Sequence, residues 1–141
     1  MNVSDVSKAF LTFSSRSSSS QPDQIQVTGE LLANQIIFRR YATTGTVYIE
    51  WEVIESPNVY VQRNEDPYAS SDNGLNISLE ESINVSHSFL IIKNRLNDST
   101  AANNPRGFWS GKFLNSSVLN FNRGVSGSAG NVSWQVVEWN G

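Results

Sequence analysis

Two segments of the chain share one alternating pattern, and this pattern constrains the fold more than any other feature. In residues 47–55 apolar side chains fill every second position, with Trp51 at the centre. Residues 132–139 repeat the order, with Trp134 at the centre. Alternation with a period of two, built from β-branched and aromatic residues, predicts a strand with one buried face. We therefore expect both tryptophans on a buried face, where a large ring dominates the packing of a small core.

The two segments are the ends of a longer internal repeat. Four stretches of the chain recur in the same order with almost no gaps, which argues for the duplication of one structural unit. The spacing between the last two stretches is the same in both copies. The matched stretches are residues 6–16 with 85–95, 29–32 with 111–114, 38–40 with 121–123, and 51–55 with 134–138.

The two copies differ in length, because residues 56–84 have no counterpart in the first copy. This inserted segment contains two further strand-like runs. We therefore predict four strands in a partial repeat at residues 1–56 and six strands in a full repeat at 57–141, packed as one compact unit. The first repeat then exposes apolar edges, and we expect residues 56–80 or another subunit to cover them.

The rest of the chain consists of short apolar runs separated by Gly, Pro, Asn and Ser, and no window carries a helical stripe with caps. The Asn-Ser-Ser between residues 108–114 and 118–123 predicts a hairpin. The fully apolar run at residues 89–92 predicts a central strand. The fold class is therefore all-β: an antiparallel β-sandwich of the jelly-roll kind, built from an internal duplication.

Composition narrows the classes of partner and chemistry. The net charge is −3 and the ten Lys and Arg residues are scattered, which does not favour a nucleic-acid partner. The chain has no cysteine, which excludes disulfides, thiolate metal sites and Cys nucleophiles. No apolar run is long enough to span a membrane, so we expect no membrane insertion. Residues 1–8 lack the basic and then apolar order of a Sec signal peptide.

The titratable residues carry no catalytic signature. His87 is the only histidine and aligns with Lys8, which indicates a solvated turn rather than a triad or a metal site. Glu50 and Glu52 share one strand face, but calcium needs six to eight oxygens, so a solvated face is the better interpretation. We therefore predict no catalytic residue, no metal and no cofactor.

Two arginines recur at one position of the repeat, Arg40 in the first copy and Arg123 in the second. A guanidinium at a strand end packs over an aromatic ring or pairs with a carboxylate. Glu55 and Glu138 also recur, and we predict them as the carboxylate partners. Anion binding by the two arginines is the alternative.

Trp109 has no aligned tryptophan in the first copy and follows an Asn-rich loop. An aromatic ring beside amide and carboxylate groups suits a sugar, which offers CH faces for stacking and hydroxyls for hydrogen bonds. The alternative is a core or interface aromatic. The candidate ligand-binding residues are Asn97, Asp98, Asn103, Asn104, Arg106 and Trp109.

The second copy resembles repeats of large bacterial surface proteins and phage structural proteins, which run from a Val-Gln-Arg start to a Trp-x-Val-Val-Glu end. Here those motifs are residues 61–63 and 134–138. The same layout is distantly similar to the H-type lectin fold, a six-stranded antiparallel sandwich that trimerises. The resemblance covers residues 59–139, and Asn64 stands where the family has a glycine. It implies a duplicated β-sandwich fold.

These features favour a non-enzymatic structural protein of a virion or extracellular assembly, such as a phage capsid decoration, head-fibre or tail component. We expect a homo-oligomer, a trimer above other states, in contact with other particle proteins and located outside the cell without a Sec signal. The alternative is a lectin-like module that binds a surface glycan or receptor. A hydrolase is the least favoured class, because no pair of acids can be placed across a cleft.

Overall fold

In the computed structural model, which describes residues 2–141, ten strands pair antiparallel in four small sheets. The short helices between them are too short and too polar to cross a membrane, as far as the described residues go. The strands are β1 (Ala9–Ser17), β2 (Thr28–Leu31), β3 (Ile36–Arg39), β4 (Val47–Glu55), β5 (Val59–Tyr68), β6 (Gly74–Ser78), β7 (Ser88–Leu96), β8 (Trp109–Asn115), β9 (Val118–Arg123) and β10 (Gly130–Trp139). The helix α1 covers Pro22–Ile25, and 3-10 turns cover Val6–Lys8, Val85–His87 and Ala101–Gly107.

The last six strands form an antiparallel β-sandwich, which confirms the predicted fold class. The sheet β5-β10-β7 packs against the sheet β6-β9-β8. Alternation along β10 turns Val132, Trp134 and Val136 into the core, where Leu119 and Phe121 of β9 complete it. Burying a side chain such as Phe121 completely contributes roughly 1.5–3 kcal/mol. The predicted hairpin is present as β8 and β9.

The first four strands form a smaller half with its own core. The strand β1 pairs with β4, and β2 pairs with β3. Leu11 and Leu31 are buried between the two pairs, and Phe13 meets Phe38 edge to face at 5.1 Å between ring centroids. This half is a sandwich with two strands in each layer.

The two halves pair their strands in the same register. Ala9 lies opposite Glu55 in the first half, and the residues aligned with them, Ser88 and Glu138, lie opposite each other in the second. The other pair of strands also matches, because Gly29 opposite Phe38 corresponds to Gly111 opposite Phe121. The pair β1-β4 over the pair β2-β3 therefore corresponds to β7-β10 over β8-β9, and the described part of the first half, residues 2–56, contains no counterpart of β5 or β6.

A close approach of ring to backbone also recurs in both halves. A Cβ atom added to Gly29 would lie 3.2 Å from Phe38, and one added to Gly111 would lie 2.7 Å from Phe121. Real Cβ contacts are rarely this short, so glycine lets the aromatic ring of the facing strand pack directly against the backbone.

The first half packs against the outer face of the sheet β5-β10-β7. Val59, Val61 and Val137 are buried on this outer face and contact Phe10 of β1. The rings of Phe10 and Phe89 meet edge to face at 5.6 Å. The strand β10 is therefore buried on both faces and lies at the centre of the molecule.

The expectation that residues 89–92 form a central strand is wrong. They belong to β7, which lies at the edge of its sheet, while β10 lies in the middle. The run is apolar because it serves two contacts. Leu90 and Ile92 face the core of the sandwich, whereas Ile91 faces the first half. A strand can therefore be apolar on both faces without having neighbours on both edges.

Candidate assembly interface

The strand β4 has an open edge. Its counterpart β10 is flanked by β5 and β7, whereas β4 is hydrogen-bonded to β1 alone within residues 2–141. Leu11 of β1 lies opposite Val53, but its N–H and C=O bind the Gln135 side chain instead. Antiparallel alternation then directs the backbone groups of Val53, Trp51 and Ile49 away from β1. Such a row of backbone donors and acceptors is a template for another strand.

The other edge of this two-stranded sheet is closed by the second half. The Gln135 carboxamide accepts from the Leu11 N–H at 2.9 Å and donates to the Leu11 C=O at 2.7 Å. Arg63 of β5 adds hydrogen bonds to carbonyl oxygens of the first half, those of Leu31, Ala9 and Val6. Strand addition to the first sheet is therefore directed to β4.

Trp51 and Trp134 occupy the same position of the repeat in different environments. Trp134 is 5% exposed, and its indole N–H donates to the Asp66 carboxylate of β5 at 2.7 Å. Trp51 is 48% exposed. The expectation that both rings are buried is therefore wrong for Trp51. The reason is that β5 and β6 complete the cover over Trp134, while residues 2–56 place no strand in either position.

A cavity lies between β3 and β4, beside the open edge. It has a volume of about 170 Å³ and is lined by Phe38, Arg39, Arg40, Val47, Ile49 and Val27. In the second half the space between the corresponding strands is filled by the sandwich core. The inner side of the open edge therefore combines a half-exposed indole with a cavity lined by apolar side chains and two arginines.

The outer face of β4 is acidic. Glu50 and Glu52 are exposed and lie opposite Ser14 and Thr12 of β1, which bring no positive charge. Further along the strand Arg16 lies over the ring of Tyr48, 4.5 Å from its centroid, and so packs on an aromatic ring. Two carboxylates beside an unpaired edge disfavour contact with a second acidic strand and favour a basic one.

Of the residues predicted to bind a sugar, Trp109 is 7% exposed. Its ring lies 4.8 Å from that of Tyr68, and the Arg123 guanidinium lies 5.0 Å from its centroid. This is the core aromatic of the alternative interpretation. A ring with Tyr68 and Arg123 against it presents no free face to a sugar.

Two other candidate residues, Asn103 and Arg106, contact a third, Asp98. Asn103 donates to its carboxylate at 2.9 Å, Arg106 lies 3.6 Å away, and Ser128 donates a further hydrogen bond. Burial raises the pKa of Asp98, but the hydrogen bonds from Ser128, Thr100 and Asn103 outweigh it, so the pKa lies below its usual value of 3.8. The group is arranged to hold the loop together.

The remaining candidates lie apart from this group. Asn104 accepts a hydrogen bond from Gln26 at 2.7 Å, which joins the two halves, and Asn97 is exposed. Sequence reasoning missed Phe108, whose side chain is 60% exposed and lines a cleft of about 390 Å³ with Asn94 and Asn104. Neighbouring residues of an extended chain point to opposite sides, so the burial of Trp109 leaves Phe108 facing outward.

The predicted pairing of the recurring arginines with Glu55 and Glu138 is wrong. Arg123 lies over the rings of Tyr68 and Trp109, as the aromatic alternative predicts, and Arg40 donates to the carbonyl oxygens of Gln24 and Gly45. The two glutamates instead accept backbone N–H groups beside the 3-10 turns, from Ser4 to Glu55 and from Asn84 to Glu138. Burial lowers the pKa of Arg123, and carbonyl oxygens compensate its charge.

A second cavity, of about 290 Å³, lies where the two halves meet. Its lining includes Arg63, Trp134 and the ion pair of Arg95 with Glu65, which are 2.7 Å apart. Arg95 also lies over the ring of Tyr41 from the first half. The charged side chains of this cavity contact residues of both halves, so the cavity is part of the interface between the two halves.

Within residues 2–141 no three His, Cys, Asp or Glu side chains are placed to hold a metal ion. Comparison of the chain with protein-family models, curated proteins and solved structures finds no match. The proposed function therefore rests on the geometry of the candidate interface.

Proposed function

We propose that the protein is a non-enzymatic structural component of a virion or extracellular assembly, such as a capsid decoration, head-fibre or tail component of a phage. The observation that carries the proposal is the open edge of β4 with the half-exposed Trp51 beside it. Soluble proteins normally block such an edge, and a large exposed aromatic beside it marks an interaction surface.

The proposed assembly contains several copies of this chain, with a trimer as the favoured state. The resemblance of the second half to a trimerising six-stranded sandwich supports this number. Sedimentation of the purified chain at micromolar concentrations tests it, and we expect one symmetric oligomer. A chain that stays monomeric throughout and co-sediments with no particle would rule out the structural role.

A lectin-like module is the second candidate, and the cleft at Phe108 favours it. An exposed ring beside the amides of Asn94 and Asn104 offers the stacking face and hydrogen bonds that a sugar needs. A glycan array with the native chain and Phe108→Ala tests this function. We expect binding that the variant loses and that Trp139→Ala, which removes an exposed ring elsewhere, retains. Equal binding by Phe108→Ala would exclude this cleft.

A further inference from the structure

The second half of the molecule shows what an occupied β4 edge looks like. There the strand β5 runs antiparallel to β10, with Asn64 opposite Trp134 and Arg63 opposite Gln135. Because the two halves share their register, the same strand placed on β4 would set its Asn64 position opposite Trp51 and its Arg63 position opposite Glu52. A strand added to the β4 edge therefore has a defined direction, register and set of neighbours.

On the inner side of a strand added to the β4 edge, an acidic residue fits best. In the second half the Asp66 carboxylate accepts the indole N–H of Trp134 at 2.7 Å, two residues beyond Asn64. Trp51 has the same position in the repeat and a half-exposed indole. A carboxylate in the corresponding place would give the Trp51 N–H the partner that Trp134 has.

On the outer side of the added strand, two basic residues fit best. Residues opposite each other in an antiparallel pair share a face, so the positions of Arg63 and Glu65 would neighbour Glu52 and Glu50. In the second half the residues facing Arg63 and Glu65 are the uncharged Gln135 and Ser133. The acidic β4 therefore selects positive charge at both positions, where β5 itself has one of each sign.

Building on the proposed structural role, we propose that the β4 edge binds one extended strand of another protein in the assembly. This strand runs antiparallel to β4 in the register of β5. Its outward side chains are an apolar residue opposite Ile54 and then basic residues opposite Glu52 and Glu50. The residue that follows the second basic position is an acid, which accepts the indole N–H of Trp51.

The strands within residues 2–141 do not supply this strand. The strands β5 and β6 are both paired within the second sandwich. Residues 56–80 therefore contact the first half through β5, as Val59 and Val61 do at Phe10, but they do not pair with β4. Symmetric pairing of β4 with β4 of a second copy would place Glu50 and Glu52 of both copies side by side. Like charges in that arrangement destabilise a strand pair.

A peptide of residues 57–80 with the substitution Glu65→Lys is a direct probe, because it has the register of β5 and the predicted charges. Its binding to the whole protein is measured by fluorescence anisotropy of a label on the peptide. The control peptide keeps Glu65. We expect the substituted peptide to bind at least about fivefold more tightly, since an attractive cross-strand pair replaces a repulsive one.

Two protein variants locate the binding. Ile49→Pro removes an N–H that faces the open edge and leaves the pairing of β4 with β1 intact, so it should abolish binding. Glu50→Lys should reverse the preference between the two peptides. With the native chain, bound peptide should slow hydrogen exchange at Ile49, Trp51 and Val53, whose amides face the edge.

Three outcomes decide against the proposal. Equal affinity for the two peptides, or full binding to Ile49→Pro, would overturn it. If Ile49→Pro instead turns an oligomer into monomers, the occupant is a second copy and the choice of another protein is wrong. The proposed structural role is tested separately. A chain that stays monomeric and co-sediments with no particle, but still binds the peptide, would contradict the proposed function alone.

Discussion

The carboxamide of Gln135 binds both backbone groups of Leu11, accepting from its N–H at 2.9 Å and donating to its C=O at 2.7 Å. The contact is buried and joins the central strand to the first half of the molecule. Gln62 makes the same double contact with the backbone of Glu81, at 3.0 and 2.9 Å. A glutamine side chain thus replaces a neighbouring strand at two places.

Replacing Gln135 with methionine should destabilise the protein by about 2–4 kcal/mol, because it leaves a buried N–H and a buried C=O without partners. Urea unfolding followed by circular dichroism measures the change. Gln35→Met, at an exposed position, is the control and should stay within about 0.5 kcal/mol of the native chain. If the two variants unfold at the same urea concentration, the Gln135 contact contributes nothing to stability.

The two aligned tryptophans should respond differently to truncation. Trp134→Ala removes a ring from the sandwich core and should cost about 3–5 kcal/mol. Trp51→Ala removes a half-exposed ring and should cost about 1 kcal/mol or less. Denaturant unfolding of both variants of the purified chain provides the comparison. A loss at Trp51 as large as that at Trp134 would mean that the open edge is covered in solution.

Substitution of the recurring arginines by lysine should be costly only in the second half. Arg123 donates to five carbonyl oxygens, those of Ala69, Ser70, Asp72, Arg106 and Ser128. Arg40 donates to two. A lysine offers three donors on one atom and loses the planar fork. We expect Arg123→Lys to cost about 2–4 kcal/mol and Arg40→Lys about 1 kcal/mol or less in thermal unfolding. Equal losses would contradict the role of the carbonyl contacts.

Much of the fold follows from local patterns in the sequence. Alternation around Trp51 and Trp134 predicts the strands β4 and β10, and it does so because side chains of a strand point to opposite faces. The Asn-Ser-Ser turn predicts the hairpin of β8 and β9, because turn residues between two apolar runs favour a tight connection of antiparallel strands. The spacing of the repeat also anticipates the shared register, since an alignment without gaps between two strands preserves which residues face each other.

The environment of each face does not follow from such patterns. Alternation marks a face of β4 that is suited to burial, but whether another strand covers Trp51 depends on chain segments far away in sequence. For the same reason the sequence led to Trp109, and not Phe108, as the predicted sugar-binding aromatic. Both residues are aromatic, and only the packing of Tyr68 and Arg123 decides which ring is buried. Long-range contacts of this kind leave no periodic signal.

The loop held by Asp98 should make stability depend on pH at the acidic end. Because the pKa of Asp98 is lower in the folded chain than its usual 3.8, its contribution is present above that value and is lost as the pH falls through the folded pKa. Asp98→Asn should therefore melt below the native chain at neutral pH, and the gap should close in acid. Thermal melting across this range measures it, with the exposed Glu80→Gln as the control. A gap that stays constant with pH would show that the carboxylate charge does not hold the loop.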